Sequence, residues 1–452
     1  MKTDRTAIAA RRFSRRTLLR AAAVSAALPA VAHAQKATKI TVWTWGGTER
    51  FQRRVDAFKR LFPDVAARIE VDVVSPGKQD GEVYQAFRLA LASGNNVPDM
   101  VQMNYIGMPE FAEAGVLGDL GGMMKPYAGD LVDGARQLAA YNGTTIAIPY
   151  QMKGKVWFYR KDLFEQAGID PAAVRTFDDY MVAGRRFHEK HPKSYIMNIG
   201  RTPIHYWYFM ILSNWPETRV ADRDGKFRIL ADAHFATLID WLKTWRGSGI
   251  AFDTDDFSPA WQPAFADSSI CGSPISNWMT DFLPKFAPEQ GGRWGITLWP
   301  EFNRRGSEAG GGVMTIPEQS RNKEAAFEFA SRMFLTASGS VDEWERTGNP
   351  TVLRSAQQEM LDRNASMTRP AGLTDAQWTV MPNNYFGRDF LRPILDSFDQ
   401  FNVFPYDPAA LAELDIMRRE TEAYIGGSKT REQALQAMAA SMTAQIGNPY
   451  KT

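Results

Sequence analysis

The chain has one cysteine, Cys271, in 452 residues. No intrachain disulfide can form, so a large core must hold the fold by itself. Long apolar runs are also missing. The Ala-rich run 21–31 is about half the roughly 20 residues that a membrane-spanning helix needs. There is no internal repeat, low-complexity tract or Pro-rich linker, so any passage between domains must be a short strand or loop. An excess of one charge is absent as well. The 53 Lys and Arg face 51 Asp and Glu, and the first 34 residues hold 7 of the former and 1 of the latter. The remaining 418 residues carry 46 against 50, a net of −4. That balance argues against a nucleic-acid or anionic-membrane partner.

The motifs that mark common enzymes are missing too. No Gly-x-Ser-x-Gly elbow occurs. One cysteine cannot make a Cys-x-x-Cys-His haem site. Gly310-Gly311-Gly312 lacks the Lys-Ser/Thr of a phosphate cradle, and His188-Glu189-Lys190-His191 has the wrong spacing for a zinc protease. Those histidines read as surface residues of a helix. Asp255-Asp256 reads as a solvated acidic turn rather than a glycosidase pair, because adjacent loop carboxylates are poorly placed for that chemistry. No metal and no cofactor is expected.

What is present begins with an export signal. Ser14-Arg15-Arg16-Thr17-Leu18-Leu19-Arg20 is a twin-arginine pattern, followed by the apolar run and the small-x-small site Ala32-His33-Ala34. Cleavage after Ala34 leaves a product outside the cytoplasm, naturally in a periplasm. Cys271 is too far from the cut to anchor a lipid there.

Past the signal, 39–45 reads as a strand, and Phe51, Val55, Phe58 and Phe62 recur at helical spacing until Pro63. A strand at 68–74, a helix at 84–91 and a strand opening at Pro98-Asp99 continue a β-α-β-α-β pattern, which makes a parallel sheet with helices on both faces. Further strands are expected at 145–148, closed by Pro149, and at 156–159, followed by a helix at 161–168. Helical runs then dominate to about Pro288. Strands are expected at 294–299 and 313–316, a helix at 318–335, and a helical tail at 409–446 broken by Gly426-Gly427.

The stretch TVWTWGG, residues 41–47, ends the first strand. In open α/β sheets ligands sit at the C-terminal strand ends. Trp43 reads as core. Trp45 reads as a residue of the site's mouth, with glycines that let backbone approach a ligand.

Several segments in order resemble the bacterial extracellular solute-binding proteins of the sugar-importer type. They are KITVWTWGGTERFQRRVDAFKRLFPDV, SGNNVPDMVQMNYIGMPEFAEAGVLGDL, IPYQMKGKVWFYRKDLFEQAGID, SSICGSPISNWMTDF and WGITLWP with GGGVMTIPEQSRNKEAAFEFASRMF. The resemblance covers nearly all of the mature chain. It implies an α/β fold of the two-lobed type II periplasmic-binding-protein kind, with a ligand cleft between lobes joined by three hinge crossings. Lobe one is expected at 35–149 plus 310–350, and lobe two at 150–309 plus 351–452. It also implies capture without chemistry: a carbohydrate closes the lobes, and the closed monomer is read by the membrane permease of an ABC transporter.

A sugar has apolar faces that aromatic rings cover and hydroxyl edges that polar side chains bond. The candidate ligand contacts are Trp45, Gly47 and Thr48 at the first lip, and Asn104 and Tyr105 past the third strand. Gln151 and Lys153 lie in the first crossing, Tyr206 and Trp207 near a helix start, and Gly311 and Gly312 in the return crossing. Trp278 stands where the family has a stacking tryptophan. Tyr385 and Arg388 lie in the late segment MPNNYFGRDF. Asp99 reads as structural. Gly47-Thr48 replaces the acidic-basic pair of maltose-type members, which argues against maltose. The alternatives are a secreted carbohydrate-active enzyme, or capture of a charged solute such as a glycerophosphate.

Overall fold

The computed structural model describes residues 37–200, 206–300, 306–399 and 401–451; the segment read as an export signal lies outside them. Strand β1 (Thr38–Trp45) is apolar on both sides because both sides are covered. Ile40 and Val42 pack with Phe51, Val55 and Phe58 of helix α1 (Glu49–Leu61). Trp43 packs on the opposite face with Tyr84 and Phe87 of helix α2 (Asp80–Ser93). β2 (Ile69–Gly77) and β3 (Met100–Asn104) flank β1, both in parallel. This is the arrangement expected from the β-α-β-α-β pattern. Asp99 is a clasp at the strand start: its carboxylate accepts from Thr41 N at 2.9 Å, Ser320 Oγ at 2.7 Å and Asn322 Nδ2 at 3.1 Å.

Five more strands complete an eight-stranded sheet: β4 (Ala147–Arg160), β5 (Gly272–Ser276), β6 (Trp294–Leu298), β7 (Gly306–Thr315) and β8 (Phe401–Asn402). The order is β6-β4-β7-β3-β1-β2, with β5 also on β4 and β8 on β7. Here the expectation of separate strands at 145–148 and 156–159 is corrected. β4 runs unbroken for 14 residues through Pro149. Pro149 lies opposite Val313, where the β4–β7 register slips, so a bulge absorbs the N–H that proline lacks. The first half of β4 pairs with β7 and its second half with β5 and β6, so β4 and β7 carry the chain between two sets of strands.

Helix α3 (Tyr206–Leu212) lies on β7, and α4 (Met279–Phe286) follows β5. Next come α5 (Lys323–Phe334), α6 (Ala337–Thr347) and α7 (Leu391–Asp399). α8 (Ala410–Ile425) and α9 (Arg431–Gln445) are parted near Gly426-Gly427, as expected, with Gly427 at φ +78°. α5 starts five residues later than its apolar pattern, because Ser320 and Asn322 are held in a turn by Asp99.

A buried polar chain ties these elements together. Thr44 donates to Gln102, and Gln102 donates to the Tyr150 hydroxyl. The Arg54 guanidinium lies 5.3 Å from the Tyr150 ring and grips Glu343 of α6 through two hydrogen bonds, Nη2–Oε1 at 2.6 Å and Nε–Oε2 at 3.2 Å. Burial pushes the Glu343 carboxyl up, but the Arg54 and Arg346 charges outweigh it and hold it down at about 2.

A buried acid pair stands at the start of α8. Asp407 and Glu413 are 3% and 1% exposed. Burial raises both carboxyls, and for Glu413 the neighbouring Asp407 charge adds to it. A carboxyl raised in the folded state contributes stability below the unfolded carboxylate range, and that contribution is lost as pH rises through the raised value. Glu413→Gln is neutral at every pH. Melting curves should therefore put it above wild type at pH 8 and level with it near pH 4. Equal melting temperatures at pH 8 would contradict the assignment.

Candidate functional site

The ends of β1 and β2 and the starts of α1 and α4 are joined by direct contacts. β1 ends at Trp45, half-buried, and Gly46 and Gly47 turn the chain with φ of +75° and +87°. Only glycine takes two such angles in succession without strain. Gly46 N donates to Lys78 O at 3.1 Å and Gly47 N to Ser75 Oγ at 3.2 Å, which closes the ends of β1 and β2 on each other. Thr48 follows, exposed, at the N-terminus of α1. Beside them an open groove of about 870 Å³ is bordered by Ser75, Lys78 and Glu82.

From this lip Arg50 reaches across to α4. Its Nη2 lies 3.0 Å from Asp281 Oδ2, and its guanidinium 5.8 Å from the Phe282 ring centroid. Lys285 Nζ holds the other oxygen of Asp281 at 2.5 Å. Trp278 stands one residue before α4, with its ring edge-on to Phe282 at 5.2 Å. Trp278 is 8% exposed. Asn277 then joins this patch to the crossing strand: its N–H donates to Gly154 O at 3.1 Å, and its Nδ2 to Asn349 Oδ1 at 3.2 Å.

The crossing strand carries Gln151, Lys153 and Lys155 on one face, since alternate residues share a side. Lys155 pairs with Ser276 across the ladder and is 2% exposed. Its Nζ lies 3.4 Å from Met210 O and 4.9 Å from the Trp299 ring, and burial holds the ammonium well below the usual lysine range.

Four buried polar atoms here have no hydrogen-bond partner among the described residues: Arg50 Nε, Gln151 Nε2, Ser276 Oγ and Asn277 Oδ1. Each costs about 1–3 kcal/mol while unmet. They include donors and acceptors, beside aromatic rings. That combination suits a neutral, hydroxyl-bearing solute, whose hydroxyls both give and accept.

The sequence candidates divide on this geometry. Trp45, Gly47 and Thr48 stand at the first lip, Gln151 and Lys153 on the crossing strand, and Trp278 just before α4. Asn104 is half-buried, and its Nδ2 donates to Asp80 Oδ2 at 2.7 Å. Arg388 is exposed beyond the short helix Pro382–Phe386. Tyr206 opens α3.

Five others are corrected to packing positions. Tyr105 is 2% exposed and its hydroxyl donates to Gln151 O at 3.1 Å. Gly311 is glycine because a Cβ would come within 1.8 Å of the Tyr105 ring, and Gly312 because a Cβ would come within 2.4 Å of Tyr150. Their missing side chains make room for these tyrosines. Trp207 lies in the core against Trp245 and Trp299. Tyr385 is fully buried and donates to Ala287 O at 2.9 Å.

Arg50, Ser276 and Asn277 were not among the sequence candidates. The last two stood in the quoted SNW segment, whereas nothing local marks Arg50. The histidine pair engages backbone instead, with His188 Nδ1 3.2 Å from Ser194 O and His191 Nε2 3.1 Å from Leu163 O.

Comparison with known proteins follows the same direction. The family model described as bacterial extracellular solute-binding protein matches residues 44–338. An arabinooligosaccharide-binding protein of Halalkalibacterium halodurans is 21% identical over 435 residues, covering 89% of this chain and 89% of that protein. A lactose-binding protein of Rhizobium radiobacter is 23% identical over 343 residues, covering 69% and 75%. Among solved structures, an ABC-transporter-associated binding protein from B. animalis subsp. lactis, in complex with beta-1,6-galactobiose, superposes with a TM-score of 0.74 at 18% identity. That match covers 91% of this chain and 99% of the other. Likeness at this identity carries the fold, and it bears out the expected two-lobed type II architecture.

Proposed function

The chain belongs to the bacterial extracellular solute-binding proteins, and from that premise we propose that it captures a carbohydrate and delivers it to an ABC permease. The observation that carries the reading is the set of four buried polar atoms without a hydrogen-bond partner among the described residues, one where α1 meets α4, one on the crossing strand β4 and two at the end of β5. Sugar hydroxyls meet such atoms while ring faces lie on the aromatics. The similar proteins named for arabinooligosaccharide and lactose binding support the class of ligand. Lobe one is taken as 35–149 plus 310–350 and lobe two as 150–309 plus 351–452. Closure swings one against the other about β4 and β7. The twin-arginine segment supports export to the periplasm with a cut after Ala34, and the working unit is taken as a monomer that meets only the permease.

Capture is told from catalysis by what comes back. The protein incubated with a saccharide that binds it, then denatured, should release that saccharide unchanged and in stoichiometric amount by chromatography. Recovery of shortened or oxidised sugar would overturn the proposal.

A further inference from the structure

One loop residue near the site is strained, apolar and exposed at once. Phe257 has φ +60° and is 56% exposed. A bulky side chain in the left-handed region is rare, and such strain persists only where the surroundings impose it and commonly at functional positions. The surroundings here do impose it. Asn198 Nδ2 donates to Thr254 O at 3.2 Å and to Asp256 Oδ1, and Asn198 Oδ1 accepts from Trp261 Nε1 at 3.3 Å. Thr254 Oγ1 and Ser258 Oγ are 2.8 Å apart, so the loop is pinned on both sides of Phe257. The result is a ring laid flat over Trp278, with centroids 5.5 Å apart and planes 21° from parallel. Trp261 supports it from 5.0 Å and Phe282 from 6.0 Å.

A core aromatic would need no such loop, and a turn would place glycine or asparagine at this angle. The strain holds an apolar face outward, continuous with Trp278 and Phe282 and beside the Arg50–Asp281 ion pair. A flat apolar surface edged by a carboxylate and a guanidinium suits one more sugar ring. We propose that Phe257 is an outer stacking platform, and that the ligand is therefore an oligosaccharide of at least two rings rather than a single sugar. This rests on the carbohydrate reading above.

The test compares wild type, Phe257→Gly and Phe257→Tyr by calorimetric titration with monosaccharides and the matching di- and trisaccharides, together with melting temperatures. Phe257→Gly should lose about tenfold or more in affinity for the longer sugars while melting about 2 °C higher, because the strain is gone. Phe257→Tyr should keep the affinity. A wild type that binds longer sugars, with Phe257→Gly binding them equally well, overturns the platform alone. So does a wild type that binds single rings as tightly as longer sugars. A wild type that answers to no saccharide overturns the carbohydrate reading and the platform together.

Discussion

Glu343→Ala is expected to cost the fold about 3–5 kcal/mol in urea denaturation, the usual range when one partner of a buried ion pair is removed. The substitution leaves the Arg54 guanidinium, 2% exposed, without the carboxylate that it grips through two hydrogen bonds. Arg54 also lies among the rings of Phe51, Tyr150 and Phe334, so water cannot easily replace the lost partner. The pH dependence has a definite sign. A carboxyl held at about 2 in the fold contributes stability above the unfolded carboxylate range and loses it as pH falls toward 2. Wild type should thus lose stability between about pH 5 and pH 2 more steeply than Glu343→Ala. The double variant Arg54→Met, Glu343→Leu should recover most of the loss, since a well-packed apolar pair replaces a buried ion pair at little cost. A loss below about 1 kcal/mol for Glu343→Ala would contradict the role given to this pair.

Gln151→Leu is expected to separate stability from binding. Its Nε2 is buried in the crossing strand with no partner among the described residues. Removing an unmet donor should leave the ligand-free protein as stable as wild type or more so. Under the proposed function the same change removes a donor to the ligand, so saccharide affinity should fall about tenfold to a hundredfold. Thermal melts with and without saccharide read both effects from one sample. A destabilised protein with unchanged affinity would make Gln151 a structural residue and remove it from the candidate site.

Much of the fold was legible because it is local. The run from Lys39 to Trp45, the spacing of Phe51, Val55 and Phe58, and the helical tail each carry their own periodicity. β5 was not legible. Gly272-Ser273-Pro274-Ile275-Ser276 has little strand propensity, and it is a strand because β4 pairs with it. Pro149 misled in the opposite way, since the extra residue that tolerates it, Tyr150, shows only in the pairing with β7. For the candidate site, motif and position singled out the glycine lip and Trp278. Gly311-Gly312 could not: two flexible residues in a crossing look the same whether they admit a ligand or the rings of Tyr105 and Tyr150. Arg50 joins the candidate site only through Asp281, some 230 residues away.

Capture of a saccharide by the native protein is open to a direct test. The most direct measurement is the melting temperature of the mature protein, from Gln35 onward, across a panel of monosaccharides, oligosaccharides and polyols. Ligand at a hundred times its Kd adds about 2.7 kcal/mol to the native state by mass action. The account predicts a saturable upward shift with one or a few sugars, larger for an oligosaccharide than for its single-ring unit. No shift with any sugar or polyol, together with a saturable shift for a phosphorylated or amine compound, would contradict it.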